Sequence, residues 1–156
     1  MSDIRFETLG DYQQQLGLAL AGATRRVDWF DMTMAEVGLE LADRAEGLRQ
    51  MLAGSALARV RLLVFEDDWF WRHGAGVAAL MTTYGHVMEL RVADECDRLP
   101  GEQFLLTDQM VVRRFHPDAL RGVASDDARS RILCQQQFDS MWPRAQPAAS
   151  GRRLYI

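Results

Sequence analysis

The chain contains no lysine, so all 18 of its basic side chains are arginines. A guanidinium cannot stand in for a reactive amine, and this excludes three large enzyme classes. A phosphate-loop NTPase needs a lysine on its phosphates, a protein kinase needs one on a strand, and a pyridoxal phosphate enzyme needs one for its Schiff base. Cysteine is nearly absent as well. Cys96 and Cys134 form no Cys-x-x-Cys pair, and His73, His86 and His116 are dispersed. Such spacing supports neither a zinc site nor a disulfide framework, so we expect no metal, no cofactor and reduced thiols in a cytoplasmic setting. No apolar run approaches the roughly 20 residues of a membrane span, and no basic segment followed by an apolar run opens the chain. Basic tracts are also missing. With a net charge of -4, bulk electrostatics do not favour nucleic acid, although a local arginine cluster could hold phosphate.

What is present is an ordinary globular composition: 156 residues, 48% hydrophobic and 26% charged, enough for one sizeable core. We expect a single domain over residues 1–145 and a flexible tail over 146–156, where Pro147, Ser150 and Gly151 cluster and only Leu154, Tyr155 and Ile156 offer docking surface.

Periodicity gives the elements. Residues 4–8 alternate as an edge strand, and 11–21 carry Tyr12, Leu16 and Leu20 at helical spacing, stopped by Gly22. Residues 24–33 read as a strand with Val27, Trp29 and Asp31 on one face and Asp28, Phe30 and Met32 on the other. Residues 35–53 read as one long helix ended by Gly54. Residues 59–65 are too apolar for a wet edge and read as a central strand, parallel to 24–33 through a right-handed crossover. A helix capped by Asp67 or Asp68 follows, and Trp69, Phe70 and Trp71 cannot all face its core, so one indole should be exposed. After Gly85 come a strand over 87–92, a polar connection, and a hairpin of 103–107 with 110–115 around Asp108 and Gln109. Ser125 reads as the N-cap of a last helix running through Phe138 and Trp142 to Pro143. The expected fold is α/β: a mixed, mostly parallel sheet flanked by helices.

The segment from Gly101 to Asp118 resembles one half-domain of the phospholipase D superfamily. In that family a His-x-Lys-x-x-x-x-Asp signature enters a hairpin and is followed by Gly-Ser-x-Asn. In this chain the aspartate position is kept as Asp108, the histidine position falls on Gly101 and the lysine position on Gln103. The Gly-Ser-x-Asn positions fall on Phe115, His116, Pro117 and Asp118, and Phe138 with Trp142 resembles the Phe-x-x-x-Trp of the family's closing helix. The resemblance covers residues 20–145, and the segment between Asp118 and Ser125 is short for the family's last strand. It implies a phospholipase D-like half-domain that has lost the attacking histidine and its lysine. The expected role is a catalytically inactive binding, regulatory or assembly module in a bacterial cell. Active relatives join two halves, so the resemblance also implies a homodimer.

No residue is assigned to catalysis. The ligand-binding candidates are Gln103, Asp108, His116, Asp118, Glu66, Asp67 and Arg113, for a small phosphate or carboxylate or a protein partner. Gln103 shares a strand face with Leu105 and Thr107, the former active-site wall, where an amide can still donate to an anion. Asp108 in a turn also fits the plain role of satisfying backbone donors. Glu66 and Asp67 end a strand near Asp28 and Asp31, and such carboxylates serve either acid-base chemistry or helix capping. Arg113, Arg114 and Arg121 form a basic cluster that reads as a solvated face or a phosphate site. Two rival readings follow. One is a divergent phosphodiesterase or nuclease using His116, or a metal on Glu66 and Asp67; the other is a weak nucleic-acid or phosphate binder.

Overall fold

Strand alternation sorts the sequence onto the two faces of one sheet. Val27 and Trp29 enter a core with Leu62, Leu90, Leu105 and Val112, while Phe30, Leu63, Phe104 and Val111 enter a second core on the opposite side. The computed structural model describes residues 3–148. Its elements are β1 (Ile4–Phe6), α1 (Leu9–Gly22), β2 (Arg26–Phe30), α2 (Ala42–Gly54), β3 (Arg59–Val64), α3 (Asp68–His73), α4 (Ala75–Tyr84), β4 (Met88–Val92), β5 (Gln103–Thr107), β6 (Val111–His116), β7 (Ala119–Ser125), α5 (Ala128–Met141) and β8 (Gln146–Pro147). The eight strands form one sheet in the order β1-β7-β6-β5-β2-β3-β4-β8. Helices α1, α2 and α4 supply Leu16, Leu48 and Val77 to the first core, and α5 covers the second with Cys134, Phe138 and Met141.

The mixed α/β architecture agrees with the sequence, but the balance of strand directions does not. Only β2-β3 and β3-β4 are parallel; the other five pairings are antiparallel. The parallel pairs are those joined by helical crossovers, as expected for β2 and β3. Tight turns join β5 to β6 and β6 to β7, which forces antiparallel pairing there.

Strand β7 was not anticipated. Its sequence, Ala-Leu-Arg-Gly-Val-Ala-Ser, has little β-branched content, and Gly122 interrupts it. That glycine is required by close packing. A Cβ there would lie 1.9 Å from the Arg113 carbonyl oxygen and 2.4 Å from the ring of Phe6. Ser125 consequently ends β7 instead of capping α5. The N-cap is Asp127, whose carboxylate accepts the Ser130 N–H at 2.9 Å.

The helix expected over 35–53 begins only at Ala42. Met34 (φ 65°) and Gly38 (φ 74°) adopt left-handed backbone, which no helix tolerates. The helix expected after Asp67 is broken at Gly74 into α3 and α4. Within α3, Phe70 is fully buried while Trp69 is exposed and lies against His73 with ring centroids 3.9 Å apart. Gln146 and Pro147, placed by the sequence in a flexible tail, instead pair with β4 as β8; the Ala148 N–H donates to the Leu90 carbonyl, and proline, which has no N–H, is tolerated on this edge strand. Leu154, Tyr155 and Ile156 lie outside the described residues.

Candidate functional site

Two ends of the sheet carry polar side chains. At the first, the C-terminal end of β2 meets the start of β5, and antiparallel pairing of Phe30 with Phe104 brings Asp31 and Gln103 alongside each other. Gln103 in turn pairs with Arg114 on β6. All three are buried: Gln103 is 2% exposed, Arg114 4% and Asp31 5%. The Gln103 Oε1 accepts the Met32 N–H at 2.7 Å, while its Nε2 is buried with no hydrogen-bond partner among the described residues. The Asp31 carboxylate accepts the N–H of Met34 at 2.7 Å and of Thr33 at 3.2 Å. Burial dominates its titration and pushes it up to about 6, against the two backbone donors and Arg114, which favour the anion.

Two buried arginines fasten the connection between β2 and α2 over this end. Arg114 donates to the carbonyls of Ala119 at 2.8 Å and Pro117 at 2.7 Å, and to Glu36 at 2.9 Å. Arg44 donates to the carbonyls of Val37 at 2.9 Å and Gln13 at 2.8 Å. Tyr12 lies under Arg114, 5.6 Å from its guanidinium, and burial followed by the Asp31 charge raises its pKa strongly. Apart from the Gln103 Nε2, the buried polar side chains at this end are turned to one another and to the backbone.

The remaining candidates do not converge here. Asp108 lies at the opposite end of β5, where its carboxylate accepts the N–H groups of Thr24, Arg25 and Arg26 and the hydroxyl of Thr24. Partial burial would raise its pKa, but the Thr24 hydroxyl and the backbone donors outweigh it and hold the carboxyl well below the usual range. Asp67 is buried and accepts the Trp71 indole N–H at 2.9 Å, whereas Glu66 is exposed. His116 is half-exposed, and its Nδ1 accepts the Asp118 N–H at 3.1 Å.

The expected basic cluster is dissolved by strand alternation. Arg113 points to the α5 face in a bidentate pair with Glu102, at 2.9 Å for both bonds, while Arg114 points to the other face. Alternation likewise separates Asp28 from Asp31. Asp28 is fully buried on the α5 side, where Arg61 holds it with bonds of 2.8 and 2.9 Å and Gln135 adds a third at 3.0 Å. Among the described residues, no three His, Cys, Asp or Glu side chains are grouped as metal ligands.

The second end lies where β2 and β3 begin. An open groove of about 700 Å³ runs there between the strand starts and α5. Arg26 and Arg59 are register partners on the two parallel strands, and the Arg59 N–H donates to the Arg25 carbonyl at 2.9 Å. Arg131 and Ile132 face the groove from α5, and Leu57 from the α2-β3 connection. Sequence reasoning passed over this group because its three segments, residues 25–26, 57–59 and 131–132, are separated from one another by 31 positions or more. The available signal was the arginine at the start of each of two strands already read as parallel neighbours.

Comparisons with known proteins bear on the fold. TrmBL2, described as an archaeal chromatin protein with a novel mode of DNA binding, is similar with a TM-score of 0.71 at 17% identity. The match covers 95% of this chain and 54% of that one, so the chain spans about half the length of TrmBL2. NucT from Helicobacter pylori matches with a TM-score of 0.60 at 10% identity, covering 94% of this chain and 99% of NucT. Nuc from Salmonella typhimurium, a phospholipase D family member, matches with a TM-score of 0.57 at 10% identity, covering 94% and 97%. These likenesses establish a phospholipase D-like fold. No curated protein matches the chain in sequence. Residues 11–154 match the family described as a domain of unknown function, DUF7931, and the chain belongs to that family.

Proposed function

We propose that this chain is a non-catalytic phospholipase D-like domain that serves as a binding, regulatory or assembly module and pairs with a second copy of itself. One observation carries the reading. At the position where the resemblance expects a lysine on substrate oxygens, Gln103 is 2% exposed and bonded to the Met32 backbone. Gly101, at the histidine position, has no nucleophilic side chain to offer. His116 is half-exposed and accepts the Asp118 N–H through its Nδ1, which fits a turn-stabilising role. DNA binding is a property of TrmBL2, and a shared fold does not carry it to this chain.

The test is hydrolysis of bis(4-nitrophenyl) phosphate by the purified protein, with and without divalent cations, read beside native mass spectrometry. No turnover is expected, with a species of twice 17.7 kDa. Turnover that His116→Ala or a chelator abolishes would overturn the non-catalytic reading, and a monomer at all concentrations would overturn the pairing.

A further inference from the structure

The groove at the start of β2 and β3 is at the opposite end of the sheet from Gly101 and Gln103. Its chemistry is unlike that of the packed end. Four arginines, Arg25, Arg26, Arg59 and Arg131, line it together with the single carboxylate of Asp108. That carboxylate is already turned onto the backbone of residues 24–26 and the Thr24 hydroxyl, so it neutralises the groove from behind and offers little to a ligand.

The arginines fall into two classes. Arg26 is engaged by Gln135 and lies 3.7 Å from Asp28, and Arg131 makes long bonds to the carbonyls of Asp126 and Asp108. Arg25 and Arg59, by contrast, have exposed guanidiniums with no hydrogen bond or ion pair among the described residues. In a protein of net charge -4, two unpaired guanidiniums beside two partly engaged ones reverse the local sign.

Exposed aliphatic side chains flank these cations. Leu57 is 75% exposed and Ile132 56%, and both line the groove. Among the described residues no aromatic ring lines it, so they offer no platform for stacked bases. Arginine is enriched at protein recognition surfaces, and here two unpaired guanidiniums stand beside exposed aliphatic side chains in an open channel, a pairing that suits a segment carrying both carboxylates and apolar side chains.

We propose that this groove docks an acidic segment of a partner protein, with its carboxylates on Arg25 and Arg59 and an interspersed aliphatic side chain between Leu57 and Ile132. The inference rests on the reading of the domain as a binding or assembly module, and it supplies the site and the partner chemistry for that reading.

Fluorescence polarisation on the full chain tests it. The probe is a short fluorescein-labelled peptide alternating glutamate and leucine. It is compared with an equally charged glutamate-serine peptide and a labelled DNA duplex. Saturable binding of the glutamate-leucine peptide is expected, at least about tenfold tighter than either comparison. The double variant Arg25→Ser/Arg59→Ser should weaken it by about tenfold or more, and Leu57→Ser/Ile132→Ser should abolish the advantage of leucine over serine. All four positions are solvent-facing, and an unchanged melting temperature confirms that the variants fold. Equal affinity for both peptides, tighter binding of the duplex, indifference to the arginine pair, or no saturable binding would each overturn the proposal. Such an outcome without phosphodiester hydrolysis leaves the non-catalytic reading standing, and hydrolysis strikes that reading alone.

Discussion

Asp108 reaches across 84 positions of sequence to Thr24, accepting its backbone N–H at 3.0 Å and its hydroxyl at 2.5 Å. The residue that the phospholipase D resemblance would count among a catalytic signature therefore acts as a clasp between the β5-β6 turn and the start of β2. Asp108→Ala leaves several donors without an acceptor, and we expect a loss of about 2–4 kcal/mol in urea unfolding. Because this carboxyl titrates lower folded than unfolded, its contribution is present above pH about 4 and is lost as acid protonates it. The acid limb of the stability curve should be shallower in the variant. Equal acid limbs would refute this account.

Asp31 has the opposite sign. Its pKa is raised to about 6, so between pH about 4 and 6 the folded protein binds more protons than the unfolded chain. The stability it contributes is complete below pH about 4 and is lost as pH rises through 6, by roughly 3 kcal/mol at most. Asp31→Asn keeps an oxygen for the N–H groups of Met34 and Thr33 and removes the charge. Its stability relative to the parent should improve steadily from pH 4 to pH 7; a difference that does not change with pH would show that burial of the charge is not the cause.

Placing at position 103 the lysine that the resemblance expects there should fail. Gln103→Lys places an ammonium in a site where the native side chain is 2% exposed, and deprives the Met32 N–H of its acceptor. A loss of about 3 kcal/mol or more is expected, with no gain in phosphodiester hydrolysis. A stable variant, or an active one, would mean that this end of the sheet opens more readily than its packing indicates.

Gly122→Ala should be the most damaging small substitution in the sheet. The added Cβ meets backbone of β6 at 1.9 Å and cannot be relieved by side-chain rotation alone. We expect a loss of about 3 kcal/mol or more, or failure to accumulate as folded protein. A melting temperature within a few degrees of the parent would show that β6 and β7 can separate locally.

Much of the fold was legible because strand alternation and helix periodicity are local properties. Val27, Trp29 and Asp31 share a face as their spacing requires, and the exposed indole beside Phe70 followed from three adjacent aromatic residues. What was not legible depends on distant partners. Strand β7 is held by Phe6 and Arg113 around a glycine, so its own residues advertise little. Residues 35–41 carry helix-compatible spacing, yet the Asp31 carboxylate and Arg44 fix them as a turning connection. At the end of the sheet that holds Gln103, the sequence supplied only the alignment of Gly101 and Gln103 with the histidine and lysine positions of the resembled family. It could not reveal that Gln103 and Arg114 are packed away, because that depends on the β2-α2 connection fastened above them. The arginine groove was missed for a related reason, as no window of sequence contains it.

Strands β1 and β8, three and two residues long, occupy the two margins of the sheet. Each shields a longer neighbour, β7 of seven residues and β4 of five. A protease that removed residues 3–5 would expose unpaired backbone donors and acceptors along the end of β7 while leaving Phe6 in the first core. The trimmed protein would then present a ready template for strand addition by other molecules, and its first failure would be self-association of folded domains rather than unfolding.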